Sequence, residues 1–367
     1  MKRKVVIVFF LLATLVVPLS FGMLDLEQSR QKRNSFDIAK GVNLNGWLEI
    51  ASLDSATLRN AVTHELIDSL VLMDVDHVRI PISEVNLFRE DLTLKENVLG
   101  ALTEVIDYCI VHNIKVIIDL HETKDHHFGV TEAHLFKEFH AKEHFFDIWK
   151  KLQDILMHYP ADMLAYECLN EPAASLKKHE DWNDLLAEWI SLIRKKEPGR
   201  ILFVGSNRGN QIWTLKYLKI PKDQNLVFTF HFYSPVIFTH YKKDAFLKGD
   251  VPVYPGVPIA PRTFALLPDS LKKKYEYAQK DFSLKFIQSE FEKVHNWAEK
   301  NRIQVNLGEF GCRRFVADKS RFSWLSDVVS TAKSYAFSYT LWGLNGAGFG
   351  LRTLKDGYDK IMIDAME

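Results

Sequence analysis

The segment YECLNEPA, from Tyr166 to Ala173, ends an apolar, strand-like run in an amide, a carboxylic acid and a proline. Asn, Glu and Pro are all common where a strand gives way to a turn. Alternatively, Asn170 and Glu171 place an amide and a proton donor at the mouth of a ligand site. A second glutamate, Glu309, follows another apolar run within NLGEFG. Two carboxylic acids at one cleft can perform acid–base and nucleophilic chemistry, so the residues that end the other strands decide between these interpretations.

Apolar, β-branched runs alternate with amphipathic helical stretches along the chain, which predicts βαβ units and a parallel sheet. The predicted strands are Lys40–Asn45, His77–Ile82, Lys115–His121, Met163–Asn170, Ile201–Gly205, Leu226–Phe232, Gln304–Glu309 and Phe337–Trp342. The predicted helices are His64–Met73, Glu96–His112, Glu143–His158, Trp182–Lys196, Ser283–Lys300 and Ser320–Ser334. Eight such strands predict an α/β fold of the (β/α)₈ TIM barrel type, as a single catalytic domain over residues 23–367. An open doubly wound sheet is the alternative, but residues 42–47 lack its glycine-rich phosphate turn.

In a (β/α)₈ barrel the functional site is built at the C-terminal ends of the strands. The predicted strand ends carry Arg79, His121, Asn170 with Glu171, His231 with Tyr233, Glu309 and Trp342. Each has a purely structural interpretation: the arginine could pair with a carboxylate, the histidines could be core residues, and the tryptophan could be ordinary packing. Taken together, with two glutamates at one mouth, they predict an active site.

Six motifs at these strand ends resemble those of glycoside hydrolase family 5 and the larger clan of retaining barrel glycosidases. They are HVRIPI, IIDLHE, LNEP, TFHFYSP, NLGEFG and YTLWG, and they follow the family's order over nearly all of residues 23–367. Eight positions typical of the family have a match here: Arg79, His121, Asn170, Glu171, His231, Tyr233, Glu309 and Trp342. The resemblance implies a glycoside hydrolase.

The resemblance also implies a role for each matched residue. Glu171 would be the acid/base and Glu309 the nucleophile of a double displacement, which needs their carboxyl groups about 5–5.5 Å apart. Arg79 and Tyr233 would hold Glu309 ionised, and Asn170 would bind the sugar 2-OH. The other matched residues would orient these groups or hold the sugar ring: His121, His231 and Trp342. Trp47 and Trp213 are further candidates for platforms that stack on sugar rings.

The expected substrate is a β-1,4-linked glucan, cleaved in the manner of an endoglucanase or cellulase. The alternatives are a β-mannanase or a β-1,3-glucan hydrolase on the same scaffold, and a non-catalytic carbohydrate-binding protein. Lys+Arg and Asp+Glu both number 47, and this balance argues against a nucleic-acid partner. His121, His126 and His127 do not match the H-E-x-x-H zinc helix, so we expect no metal and no cofactor.

The N-terminus predicts a signal peptide over residues 1–22. Three basic residues precede the apolar run Val5 to Val17, and Ser20 and Gly22 suit a cleavage site. The mature protein is therefore expected to be secreted or periplasmic, monomeric, and free of the membrane after cleavage. Three cysteines (Cys109, Cys168 and Cys312) leave at least one free thiol and show no zinc spacing.

One long segment, residues 234–281, carries six prolines and predicts an irregular but ordered wall beside the site. His240 and Tyr241 are its candidate binding residues.

Overall fold

The computed structural model describes residues 36–127, 129, 132–345, 348–352 and 357–367. Eight parallel strands pair in chain order, and the last pairs with the first, so the sheet closes into a barrel. The strands are β1 Lys40–Asn43, β2 His77–Ser83, β3 Lys115–Glu122, β4 Leu164–Glu167, β5 Leu202–Gly205, β6 Leu226–Phe232, β7 Gln304–Phe310 and β8 Ser338–Leu341. The predicted (β/α)₈ TIM barrel is thus confirmed. The predicted signal peptide, residues 1–22, lies outside the described residues.

Helices connect the strands and cover the outside of the barrel. They are α1 Ser55–Asn60, α2 His64–Leu72, α3 Glu84–Leu87, α4 Glu96–Val111, α5 Phe139–Leu156, α6 Glu180–Arg194, α7 Val236–Thr239, α8 Pro261–Ala265, α9 Asp269–Tyr275, α10 Leu284–Asn301, α11 Asp318–Ser334 and α12 Lys360–Met366. Every predicted helix is present, with ends that differ by a few residues. The largest difference is α5, which begins at Phe139 instead of Glu143.

Three of the strands end earlier than the apolar runs that suggested them. β4 ends at Glu167, so Asn170 and Glu171 belong to the loop that follows it. β1 ends at Asn43, and β8 ends one residue before Trp342. Glu171 has a φ of 42°, which is uncommon for a residue other than glycine. The chain therefore turns sharply after β4, and the candidate acid is placed by this turn and not by the strand ladder.

The core lies between the barrel and its helices. Trp149 of α5 and Trp189 of α6 are fully buried there, with ring centroids 5.0 Å apart. The Trp149 indole N–H donates to the carbonyl of Cys168 (3.0 Å), which ties the chain just before Asn170 to the helical layer. The three cysteines are all buried and free. No described helix has both the length and the apolar character needed to cross a membrane.

Residues 234–281 are less irregular than predicted, because they contain α7, α8, α9 and two short 3₁₀ helices. The first part of the segment borders the central cavity through Ser234, Val236 and His240. Tyr241 was predicted as a binding residue, and this was wrong: its side chain is 3% exposed and packs in the core.

Candidate active site

Arg79 stands at the centre of the site and is fully buried. Its Nε and Nη2 donate to the two carboxylate oxygens of Glu167 at 2.7 and 3.0 Å. Its Nη1 donates to Glu309 Oε1 at 2.9 Å, and its Nη2 lies 2.9 Å from Asp119 Oδ2. Nη2 also donates to Asn170 Oδ1 at 2.9 Å. One guanidinium thus holds groups from β3, β4, β7 and the loop after β4 in fixed positions.

Glu309 lies near the end of β7 with 6% of its side chain exposed. Arg79 holds one carboxylate oxygen, and the Tyr233 hydroxyl donates to the other at 3.0 Å. Burial raises the pKa of Glu309, while the positive charge of Arg79 opposes the shift. Two donors on the two oxygens favour the ionised carboxylate, and the exposed edge faces the cavity.

Glu171 lies opposite, with 19% of its side chain exposed. Burial raises the pKa of Glu171 to about 7, so the carboxyl can carry a proton near neutral pH. His231 Nδ1 is 2.8 Å from Glu171 Oε1 and 3.5 Å from Glu309 Oε2, between the two acids. Burial lowers the pKa of His231 to about 4, so the ring is neutral. Asn210 Nδ2 lies 3.4 Å from His231 Nε2, which places the ring proton on Nδ1, facing the glutamates.

The loop after β5 supports Glu171 from the side. The backbone N–H groups of Arg208 and Gly209 donate to the carbonyl of Pro172 at 2.6 and 3.2 Å. Gly209 has a φ of +79°, and a Cβ on it would lie 3.6 Å from Glu171 Oε2. Glycine is favoured here because the backbone is left-handed, and a Cβ would be in ordinary van der Waals contact with the carboxyl group.

Asn170 is oriented from two sides. Its Oδ1 accepts from Arg79, and its Nδ2 lies 3.4 Å from His121 Nε2. His121 in turn places Nδ1 2.6 Å from Asp119 Oδ2, so Nδ1 carries the ring proton and donates it to Asp119. Burial lowers the pKa of His121, which keeps the ring neutral. The amide of Asn170 is therefore held in one orientation next to the cavity.

The separation of the two acids is the feature with the clearest chemical meaning. A carboxylate oxygen of Glu171, one of Glu309 and a ring nitrogen of His231 all lie within 4.8 Å of one another. A cation could be held by three such ligands. However, the guanidinium of Arg79 is already 2.9 Å from Glu309 Oε1 and would repel one. The spacing also suits two carboxyl groups on either side of a glycosidic bond.

The acids open into a cavity of about 680 Å³ at the C-terminal ends of the strands. Trp342 lines it and stacks on His121, with ring centroids 5.5 Å apart and planes 9° apart. Trp213, 50% exposed, lines the cavity near Gln211, which accepts a hydrogen bond from its indole N–H. His240 also borders the cavity. Two flat aromatic side chains therefore face the same space as the two acids.

The structure brings together all eight residues that matched the family pattern, but it separates Trp47 from them. Trp47 is fully buried, and its indole N–H donates to the carbonyl of Leu58 at 3.1 Å. It does not border the cavity that the acids share. The prediction that Trp47 stacks on sugar rings was therefore wrong. The apolar residues around Trp47 in the sequence do not predict whether its side chain faces the cavity or the core.

Sequence reasoning missed Asp119, Asn43 and Asn210, which hold other side chains of the site in place. Asn43 Oδ1 accepts from Arg79 Nη1 at 2.8 Å. Asp119 could have been predicted from the sequence, because it precedes His121 by two residues on β3, and residues i and i+2 of a strand share a face. Asn210 could not have been predicted, because its contact with His231 depends on the left-handed turn over residues 208–210. Glu167 is likewise a buried partner of Arg79, through both of its carboxylate oxygens.

Comparison with known proteins gives one consistent answer. The model of the cellulase family, glycosyl hydrolase family 5, matches residues 39–348. Endoglucanase C of Acetivibrio thermocellus is 25% identical over 323 residues, covering 84% of this chain and 92% of the relative. Cellodextrinase A of Ruminococcus flavefaciens is 26% identical over 305 residues, covering 82% and 84%.

Among solved structures, endoglucanase Cel5A of Thermotoga maritima is similar, with a TM-score of 0.72 and 25% identity. The alignment covers 91% of this chain and 98% of that one. The barrel, the acid pair at its mouth and these similarities agree: the chain belongs to the cellulase family, glycosyl hydrolase family 5, and is a glycoside hydrolase.

Proposed function

We propose that this protein hydrolyses β-1,4-glucosidic bonds in a polysaccharide, in the manner of an endoglucanase, with retention of anomeric configuration. The observation that carries the proposal is the placement of Glu171 and Glu309. Their carboxylate oxygens approach within 4.8 Å across one cavity. Retaining glycosidases place their carboxyl groups about 5–5.5 Å apart, whereas inverting enzymes leave room for a water between them.

In the first step, Glu309 attacks the anomeric carbon and forms a glycosyl–enzyme ester. The glycosidic C–O bond breaks, and Glu171 gives its proton to the departing sugar oxygen. The surroundings of the two carboxyl groups differ, and each suits a different role. Glu309 receives hydrogen bonds from Arg79 and Tyr233, which favour the carboxylate. The partner of Glu171 is instead the neutral ring of His231. Burial raises the pKa of Glu171 to about 7.

In the second step, Glu171, now a carboxylate, takes a proton from water as the water attacks the anomeric carbon. The bond to Glu309 breaks and the nucleophile is regenerated. Asn170 is held by Arg79 and His121 so that its Nδ2 can contact a sugar 2-OH, a contact that strengthens in the oxocarbenium-like transition state. The Trp342 ring offers an apolar face to the sugar next to the scissile bond.

Azide tests the two roles separately. Glu171→Ala should nearly abolish polysaccharide hydrolysis but still let an aryl glycoside with a good leaving group form the ester. Azide needs no base, so it should restore turnover and yield the β-glycosyl azide. Glu309→Ala should yield the α-azide, formed from the vacated face. Proton NMR distinguishes the two anomers, and a β-azide from Glu309→Ala would overturn the assignment.

A panel of soluble polysaccharides tests the substrate. Relatives named endoglucanase and cellodextrinase support a β-1,4-glucan. We expect carboxymethylcellulose or barley β-glucan to be cleaved faster than mannan. Faster cleavage of a galactomannan or of a β-1,3-glucan would change the substrate and leave the mechanism in place. Binding to glucan without any turnover would instead favour a carbohydrate-binding protein.

We also propose that residues 1–22 are removed as a signal peptide and that the exported protein is a monomer free of the membrane. The basic start and short apolar run support this proposal. N-terminal sequencing of the protein recovered outside the cytoplasm should begin near Met23, and its mass in solution should be that of one chain. Recovery with the intact N-terminus in the membrane fraction would contradict it.

A further inference from the structure

One basic residue of the cavity wall takes no part in the chemistry above. Arg313 follows Glu309 by four residues in the loop after β7 and lines the same cavity as both acids. Its backbone N–H donates to the carbonyl of Thr239 at 2.9 Å, so the loop is fixed against the β6 side of the mouth. Among the described residues that line the cavity, it is the only arginine or lysine.

The Arg313 guanidinium is held but not neutralised. Its Cζ lies 5.0 Å from the ring centroid of Phe349, so the cation packs on an aromatic ring. Its Nε is buried and has no hydrogen-bond partner, and none of the ion pairs among the described residues includes Arg313. Burial lowers the pKa of Arg313 while Asp244 opposes the shift, which agrees with a partly desolvated cation that lacks a close counter-ion. Such a group gains from an anionic partner.

The neighbours of Arg313 define where this partner would sit. His240 packs on the same Phe349 ring, with centroids 5.2 Å apart, and on Tyr233 at 4.9 Å. Tyr233 in turn donates to Glu309. Burial and the nearby Arg313 lower the pKa of His240 to about 4, so at neutral pH the charge of this wall is that of Arg313. Through Tyr233, the wall adjoins Glu309.

The other charged side chains of the described lining are acidic and disfavour an anion. Besides the two acids, they are Glu49, Glu122 and Glu290, of which Glu290 is paired with Lys293. A negatively charged substituent is therefore favoured at the wall formed by Arg313. A stacked guanidinium presents its N–H groups in one plane, a geometry that matches the two oxygens of a carboxylate.

We propose that Arg313 is a recognition site for a carboxylate on the glycan, carried by a sugar unit next to the one that is cleaved. The protein would then prefer a glucan bearing uronic-acid-type groups over a neutral one. This inference rests on the proposed hydrolysis of β-glucan, because it assumes that a glycan occupies the cavity.

Binding tests the inference independently of turnover. The Glu171→Gln variant serves as the binding form, and calorimetry compares a cello-oligosaccharide with the same oligosaccharide oxidised to a carboxylate at C6. Adding Arg313→Gln to this variant should lower the affinity for the carboxylated sugar about tenfold more than the affinity for the neutral sugar. The reason is that a charge-assisted hydrogen bond is lost. Arg313→Lys keeps the charge but not the planar fork, so it should lose part of this preference.

Lys151→Gln is the matched control. Lys151 is exposed on the outer helix α5, so the variant removes the same charge without touching the cavity. An unchanged affinity ratio in Arg313→Gln, or an equal change in Lys151→Gln, would overturn the inference. The unmodified enzyme is assayed separately for hydrolysis of the neutral sugar, and failure there would count against the proposed function and not against the binding site.

Discussion

Replacing Glu167 by glutamine tests whether this glutamate supports the site, in contrast to the two glutamates that we propose to react. Glu167 is 1% exposed and binds Arg79 through both carboxylate oxygens, yet it does not border the cavity. Glutamine keeps the shape and one acceptor oxygen. Its amide group, however, places N–H donors against the N–H donors of Arg79, so one of the two hydrogen bonds is lost and the buried charge of Arg79 loses one of its three carboxylate partners.

The expected loss of stability follows from these contacts. Hydrogen bonds to charged groups contribute about 1.5–3 kcal/mol, and removing one partner of a buried ion pair costs about 3–5 kcal/mol. Because Asp119 and Glu309 still neutralise Arg79, we expect about 3 kcal/mol, at the low end of that range. A body of roughly 330 residues unfolds with an entropy of about 0.7 kcal/mol/K, so the melting temperature should fall by about 4 °C.

Differential scanning calorimetry measures this shift, and aryl-cellobioside hydrolysis with and without azide measures the chemistry. Glu188→Gln is the control, because Glu188 pairs with Lys142 at the surface, where an ion pair contributes little. It should shift the melting temperature by less than about 1.5 °C. An unchanged melting temperature in Glu167→Gln, together with an activity loss that azide restores, would refute the structural role of Glu167.

Four further predictions address the acid, the platform, metals and the thiols. Above about pH 7, kcat/KM for polysaccharide should fall about tenfold per pH unit, because deprotonated Glu171 cannot protonate the leaving group; an activity that stays flat to pH 9 would contradict its pKa of about 7. Trp213→Ala should raise KM for long cello-oligosaccharides severalfold while Trp213→Phe retains most affinity, since the half-exposed ring offers a stacking face; equal kinetics of the two variants in a steady-state assay would exclude a platform role. Dialysis against EDTA should leave activity unchanged, because Arg79 occupies the position beside Glu309 where a cation would bind; inactivation reversed by one metal ion would indicate metal chemistry. Cys109, Cys168 and Cys312 should resist a thiol reagent in the native state and react on unfolding, because burial raises the pKa of each thiol and blocks access; three fast-reacting thiols in native protein would contradict the structure.

Local sequence patterns were sufficient to predict the barrel and to predict that Glu171 and Glu309 lie at one site. Alternating strands and helices recur with a regular spacing, and a parallel sheet brings the C-terminal ends of its strands to one edge. Polar residues at those ends, such as Glu171, His231 and Glu309, could therefore be assigned to one site before any contact was known. Asp119 was within reach of the same reasoning, since it shares a strand face with His121.

Tertiary structure alone decided which side chains meet and which face the cavity. Arg79 contacts groups up to 230 positions away from it along the chain, and only closure of the barrel brings them within hydrogen-bond distance. Trp47 and Trp213 look equivalent in the sequence, yet one is buried and the other half-exposed, because loop direction depends on packing against distant residues. Arg313 likewise shows its unneutralised guanidinium only when Phe349, His240 and the cavity are in place, since an ion pair, or the lack of one, is a property of the folded surroundings.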